Sequence, residues 1–74
     1  MNDQTMTVTA IETCVASALS AASDHGETAG ATVAWTTNAT AGVRVEFTDG
    51  RSALAEVWYD EDEDFAMTID FDFI

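Results

Sequence analysis

Val43-Arg44-Val45-Glu46-Phe47-Thr48-Asp49-Gly50-Arg51-Ser52-Ala53-Leu54-Ala55-Glu56-Val57-Trp58-Tyr59 decides the fold. Val43, Val45 and Phe47 alternate with Arg44 and Glu46, the period of a half-buried strand. Asp49-Gly50, the strongest turn signal in the chain, follows, and then Ala53, Ala55, Val57 and Tyr59 alternate with Leu54, Glu56 and Trp58. Parity sets the loop length. A two-residue loop pairs Val45 with Leu54 and Val43 with Glu56, which puts a carboxylate on the core face. A three-residue loop, with Gly50 in the left-handed position of a bulge, pairs the odd-numbered residues of both strands. The three-residue loop is therefore expected.

Upstream of this hairpin, Val33 and Trp35 alternate with Thr32, Ala34 and Thr36, which predicts a strand from Ala31 with Trp35 in the core and a turn over Asn38 to Gly42. Downstream, Asp60-Glu61-Asp62-Glu63-Asp64 reads as a solvated connection. Phe65, Met67, Ile69, Phe71 and Phe73 then alternate without a break against Ala66, Thr68, Asp70 and Asp72, predicting a last strand with its large residues on the core face.

The first part of the chain has a different period. Ile11, Cys14, Val15, Ala18, Leu19 and Ala22 recur at three- and four-residue intervals, one apolar helical stripe. Thr9 and Glu12 match a capping box, so the helix is expected to start near Ala10, and Gly26 is its expected left-handed stop. Residues 1 to 7 are polar and read as frayed, although Met6 and Val8 could start a short strand. The sum is a single α+β domain over residues 1–74, a two-layer sandwich of one N-terminal helix on a mainly antiparallel four-stranded sheet.

Composition narrows the function. Of 74 residues, 14 are acidic and two are basic (Arg44, Arg51), for a net charge of -12. A basic patch for phosphates cannot be built from two arginines, so direct binding to nucleic acid and to anionic membranes is disfavoured. Cys14 has no partner for an intramolecular disulfide, and no signal-peptide or membrane-length apolar run occurs, so a soluble, unprocessed protein of the cytoplasm is expected.

Catalytic and cofactor constellations are missing from the sequence. Cys14 lies on the apolar stripe about three turns from His25, too far for a nucleophile-base pair. Cys14 thus reads as a small core residue and His25 as a residue placed to meet the helix dipole. No glycine-rich phosphate loop exists. Asp60, Asp62 and Asp64 match the first, third and fifth positions of a calcium loop, but Phe65 replaces the required Gly and Phe71 the required Glu, so no metal site is assigned. The expectation is a non-enzyme without cofactor.

The placement of charge is informative. Ten of the 14 acids (Glu46, Asp49, Glu56, Asp60, Glu61, Asp62, Glu63, Asp64, Asp70 and Asp72) follow residue 42. Glu46, Glu56, Asp70 and Asp72 fall on the strand positions opposite the core, and Asp70 and Asp72 lie about 6.8 Å apart as alternate strand residues. Over the roughly 30 Å expected for such a domain, a duplex carries about 17 phosphate charges. The densities are comparable, so the chain can stand in for DNA on a basic groove. Trp58 shares the outer face, where an exposed aromatic amid charge fits an interface with a different protein, a homodimer partner or a covering N-terminal segment.

In its size, its helix plus antiparallel sheet, its Asp60 to Asp64 run and its outer-face acids, the chain resembles small acidic phage-encoded anti-CRISPR proteins, in particular those that block the DNA-binding surface of a type I Cascade complex. The resemblance is one of type and carries no motif. It implies a stoichiometric inhibitor acting in the host cytoplasm on a lysine- and arginine-rich Cas subunit. The partner-binding set is then Glu46, Glu56, Trp58, Asp60, Glu61, Asp62, Glu63, Asp64, Asp70 and Asp72. Two other readings stand beside it. Molar-salt habitats also favour Asp and Glu over lysine, which fits a halophile-adapted accessory or structural domain. The apolar end Phe71-Asp72-Phe73-Ile74 could pair as a sheet edge with another chain, as a homodimer or an accessory subunit.

Overall fold

A computed structural model describes residues 6–74. The element order is α1 (Val8–Ala22), β1 (Thr28–Thr36), β2 (Thr40–Phe47), β3 (Ser52–Asp60) and β4 (Phe65–Phe73). The strands form one antiparallel sheet in the order β1-β2-β3-β4, and α1 packs across one face of it, against all four strands. This is the expected α+β sandwich. Among the described residues no helix is long and apolar enough to cross a membrane.

The helix starts two residues earlier than its capping-box pattern suggested. Thr7, not Thr9, is the N-cap, and its hydroxyl accepts from the Ala10 N–H at 3.1 Å. The cause is Met6, which is buried against Cys14, whose thiol donates to the Met6 sulfur at 3.8 Å. A cap at Thr9 would leave that end of the core unfilled. Met6 therefore precedes a helix and starts no strand, and Val8 is its exposed first residue. The frayed start read for residues 1 to 7 lies, up to residue 5, outside the described residues. At the other end Ser23 caps the helix in right-handed conformation, so Gly26 is not the helix stop. Gly26 lies in the reversal into β1 at φ +150°, where a Cβ would meet the Arg51 guanidinium.

The core is built from small residues. Ala10, Cys14, Ala18 and Ala22 of α1 face Ala41, Val43, Val45 and Phe47 of β2 and Ala53, Ala55 and Val57 of β3, all buried. The β2–β3 register is odd with odd, Val43 with Ala55 and Val45 with Ala53. The Thr48-Asp49-Gly50 loop has the predicted three residues: Phe47 N–H donates to Arg51 O at 2.9 Å, Gly50 N–H donates to Phe47 O at 3.0 Å, and Gly50 takes φ +96°.

Two bulges overturn the alternation read for the outer strands. In β4, Phe73 and Phe71 pair with Ala53 and Ala55, but the register shifts between Glu56 and Val57, and Thr68, Met67, Ala66 and Phe65 then pair with Val57, Trp58, Tyr59 and Asp60. Ile69 is the extra residue, and parity flips across it. Phe65 and Met67 therefore join the outer face, and they and Ile69 are about half exposed instead of core. The physical reason is space under the helix. Ala66 and Thr68 occupy the inner positions instead, and the Thr68 and Ser17 hydroxyls share a hydrogen bond at 3.0 Å. Five bulky side chains there would push α1 away.

In β1 the register shifts at Ala34, so that Val33 pairs with Val43 but Trp35 pairs with Gly42. Trp35 thus leaves the predicted core and lies on the outer face, over Gly42, where a Cβ would overlap its indole. The turn before β2 is correspondingly shorter than Asn38 to Gly42. Thr40 is already in β2, and the Thr37 hydroxyl accepts from the N–H groups of Ala39 and Thr40 to close it.

Candidate partner-binding face

The sheet face opposite α1 follows from the register. Across β2, β3 and β4 it presents Arg44, Leu54 and Asp72 in one row, Gly42, Glu56 and Asp70 in the next, and Thr40, Trp58 and Met67 in a third, with Trp35 of β1 beside Gly42. Alternate residues along a strand are about 6.8 Å apart and neighbouring strands about 4.8 Å. Glu56, Asp70 and Asp72 therefore form one anionic cluster, bordered by Trp35, Leu54, Trp58 and Met67. These four apolar side chains are all exposed, the two tryptophans at 40% and 38%.

Of the expected partner-binding residues, Glu46, Glu56, Trp58, Asp70 and Asp72 share this face. The acidic run divides. Asp60 ends β3 and its carboxylate accepts from the Asp62 N–H at 3.0 Å, while Glu61, Asp62 and Glu63 stand exposed in the turn. Asp64 points the other way, toward the helix layer, where its Oδ1 accepts from Tyr59 and Thr13 hydroxyls at 2.8 and 3.3 Å. Sequence reasoning missed Trp35, Met67 and Phe65 as members of this face, because nothing in an unbroken alternation marks where a bulge will fall.

Electrostatics leaves the cluster unneutralised. Arg44 Nε donates to Glu46 Oε2 at 2.8 Å, and Ser52 donates to Glu46 Oε1 at 2.8 Å. The Ser52 hydroxyl first, and the Arg44 guanidinium after it, hold the Glu46 carboxyl below its ordinary value. Arg51 pairs with Asp49 at 2.7 Å, and the Arg51 backbone N–H is the larger cause of that carboxyl's lowered value. Both guanidiniums of the chain are thus engaged with other carboxylates. Among the described residues Glu56, Asp70 and Asp72 form no ion pair.

The residues weighed for chemistry have structural surroundings. Cys14 is buried and free, and burial pushes its thiol up, away from the reactive thiolate. His25 follows the end of α1, where its N–H donates to Ala22 O at 2.8 Å. Its ring stacks on Phe71 at 4.8 Å and 8° and meets Phe73 edge-on, and its carbonyl accepts from Arg51 Nη2 at 2.8 Å. Among the described residues no three His, Cys, Asp or Glu side chains are grouped to hold a metal ion. Compared with protein-family models, curated proteins and solved structures, the chain matches none.

Proposed function

We propose that this chain is a non-catalytic binding protein that presents the sheet face opposite α1 to a basic, DNA-binding groove of another protein. The observation that carries the reading is the Glu56, Asp70 and Asp72 cluster, which forms no ion pair among the described residues, on the sheet face opposite α1, in a chain whose two guanidiniums are held by Glu46 and Asp49. The long axis is 40 Å, over which a duplex bears about 24 phosphate charges. The face itself offers three carboxylates outside any ion pair among the described residues, Glu56, Asp70 and Asp72, with Arg44 and Glu46 offsetting each other, and the rest of the net charge of -12 lies on other surfaces and adds only to the long-range field. The carboxylates take phosphate positions, and the long-range field steers association. A Cas subunit of a type I CRISPR effector is the specific partner proposed, and the activity is inhibition of its DNA binding.

The test is competition. A purified type I effector complex is mixed with duplex DNA and the chain, and bound DNA is read by gel shift. Loss of the shifted band with wild type, and its return with Glu56→Lys, Asp70→Lys and Asp72→Lys together, is the expected result. Equal inhibition by the triple variant removes this face from the mechanism.

A second reading is favoured by the carboxylates that lie off the face, Glu61, Asp62 and Glu63 at the hairpin tip and Glu12, Asp24 and Glu27 near the helix. These fit adaptation of an accessory domain to molar salt. Thermal melts by circular dichroism at about 0.1 M and about 2 M potassium chloride separate the two, because the Debye length falls from about 10 Å at 0.1 M to about 3 Å at 1 M. A sharp transition at the lower salt favours the binding protein; folding only at the higher salt favours the habitat.

A further inference from the structure

The open face is only half anionic, and its apolar half specifies the partner's chemistry further. Trp35, Glu56, Trp58 and Asp70 occupy adjoining positions. Trp35 lies over Gly42, Gly42 pairs with Glu56, Glu56 pairs with Asp70, and Trp58 is the next residue along the same face of β3. Two exposed indoles thus flank two carboxylates that form no ion pair among the described residues. Phosphate mimicry alone needs no indoles, and a bare hydrophobic dock needs no carboxylates.

We propose that these four residues form a guanidinium-selective site, so that the cationic partner seats arginine side chains here in preference to lysines; the inference rests on the partner reading above and specifies its chemistry. A guanidinium is planar, weakly hydrated and able to stack on an indole while its N–H fork engages a carboxylate. An ammonium is a compact, strongly hydrated point charge and gains little from the ring face. The molecule contains one such arrangement already. Arg51 places its guanidinium carbon 4.8 Å from the Phe47 ring centre and 5.0 Å from that of Phe73 while its Nε holds the Asp49 carboxylate at 2.7 Å. The outer face repeats the aromatic and anionic halves of that arrangement at Trp35, Trp58, Glu56 and Asp70, while the guanidinium on that face, Arg44, is held by Glu46. A second copy of the chain does not fit as occupant, since it would set the same carboxylates against each other and its two arginines are already paired.

Titration of the intact chain with oligoarginine and with oligolysine of equal length, read by indole fluorescence and calorimetry at fixed salt, tests the site. The expected result is about tenfold tighter binding of the arginine peptide. That preference should vanish in Trp58→Leu and Trp35→Leu while the weaker, charge-driven binding persists, and Glu56→Gln with Asp70→Asn should weaken both peptides. Far-UV circular dichroism checks each variant's fold, and Trp58→Leu, on a solvent-facing strand position, carries the test if Trp35→Leu does not fold. Equal affinity for the two peptides in wild type, no binding of either, or a preference that survives Trp58→Leu overturns the site. The partner reading fails separately, by unchanged inhibition of DNA binding in the charge-reversed variant.

Discussion

The Tyr59 hydroxyl donates to Asp64 Oδ1 at 2.8 Å, and the Thr13 hydroxyl of α1 shares its one proton between that oxygen, at 3.3 Å, and Thr9 O, at 3.0 Å. One carboxylate thereby ties the end of β3, the acidic turn and the helix together. Asp64 takes φ 50°, the left-handed conformation that Asp tolerates better than most residues, and this lets the chain re-enter β4 with the carboxylate turned inward. The last acid of the run is thus a link to the helix layer as well as an exposed carboxylate, whereas Glu61, Asp62 and Glu63 stand exposed in the turn.

This link makes the phenol a reporter. Its hydrogen bond to Asp64, ahead of burial and of the carboxylate's charge, pushes Tyr59 up to about 12. A raised value in the folded state means that the contribution to stability is complete below the unfolded value of about 10 and is lost as pH rises through about 12. Tyr59 is the sole tyrosine, so ultraviolet absorbance follows it directly. Wild type should ionise near pH 12 and Asp64→Asn closer to 10; ionisation of the native wild type near 10 contradicts the bond.

The bulge at Ile69 gives a second prediction. Removing Ile69 leaves Asp70 opposite Glu56 and Thr68 opposite Val57, a regular ladder with every other residue on the face it already occupies. The deletion should therefore fold, with the near-ultraviolet signature of the tryptophans retained. Were β4 an unbroken alternating strand with Phe65 and Met67 inside, the same deletion would turn those residues out and destabilise the chain by several kcal/mol, on the order of two buried large side chains. Urea unfolding distinguishes the two outcomes.

The contrast between the inner and outer strands explains what the sequence could disclose. In β2 and β3 the alternation is enforced from both sides, by Val43, Val45 and Phe47 against Ala53, Ala55 and Val57, and by a loop whose length admits one parity. Those strands, the helix stripe and the outward positions of Glu46, Glu56, Trp58, Asp70 and Asp72 were readable because a single pattern satisfies every neighbour. In β1 and β4 the same hydrophobic periodicity competes with crowding beneath α1, a three-dimensional constraint absent from any local window. The edge strands yield by bulging at Ala34 and Ile69, and that moved Trp35, Met67 and Phe65 onto the outer face. The N-cap was displaced by the same kind of cause, the burial of Met6.

Gly50 sits at φ +96° in the three-residue hairpin loop, where only its N–H to Phe47 O bond, and no side-chain packing, is at stake. Gly50→Ala should cost about 1 kcal/mol, and Gly50→Asn less, because Asn accepts positive φ more readily. Denaturant midpoints with unchanged slope check this. Equal stability of all three proteins would argue for a loop of different length.

Trp35 and Gly42 provide the most direct test of the outer face. A methyl group at position 42 overlaps the indole, so Gly42→Ala should destabilise by about 1 to 3 kcal/mol and shift the tryptophan emission as Trp35 is displaced. In a Trp35→Ala background the clash is gone, and the same substitution should become neutral or favourable, since alanine loses less backbone entropy than glycine in a strand. The double-mutant cycle should therefore show a coupling of about 1 kcal/mol or more. With Trp35 in the core, as uninterrupted alternation from Val33 would have it, position 42 would meet no indole and the two substitutions would add. Additivity would thus remove the Ala34 bulge, and with it the indole that the guanidinium site requires beside Glu56.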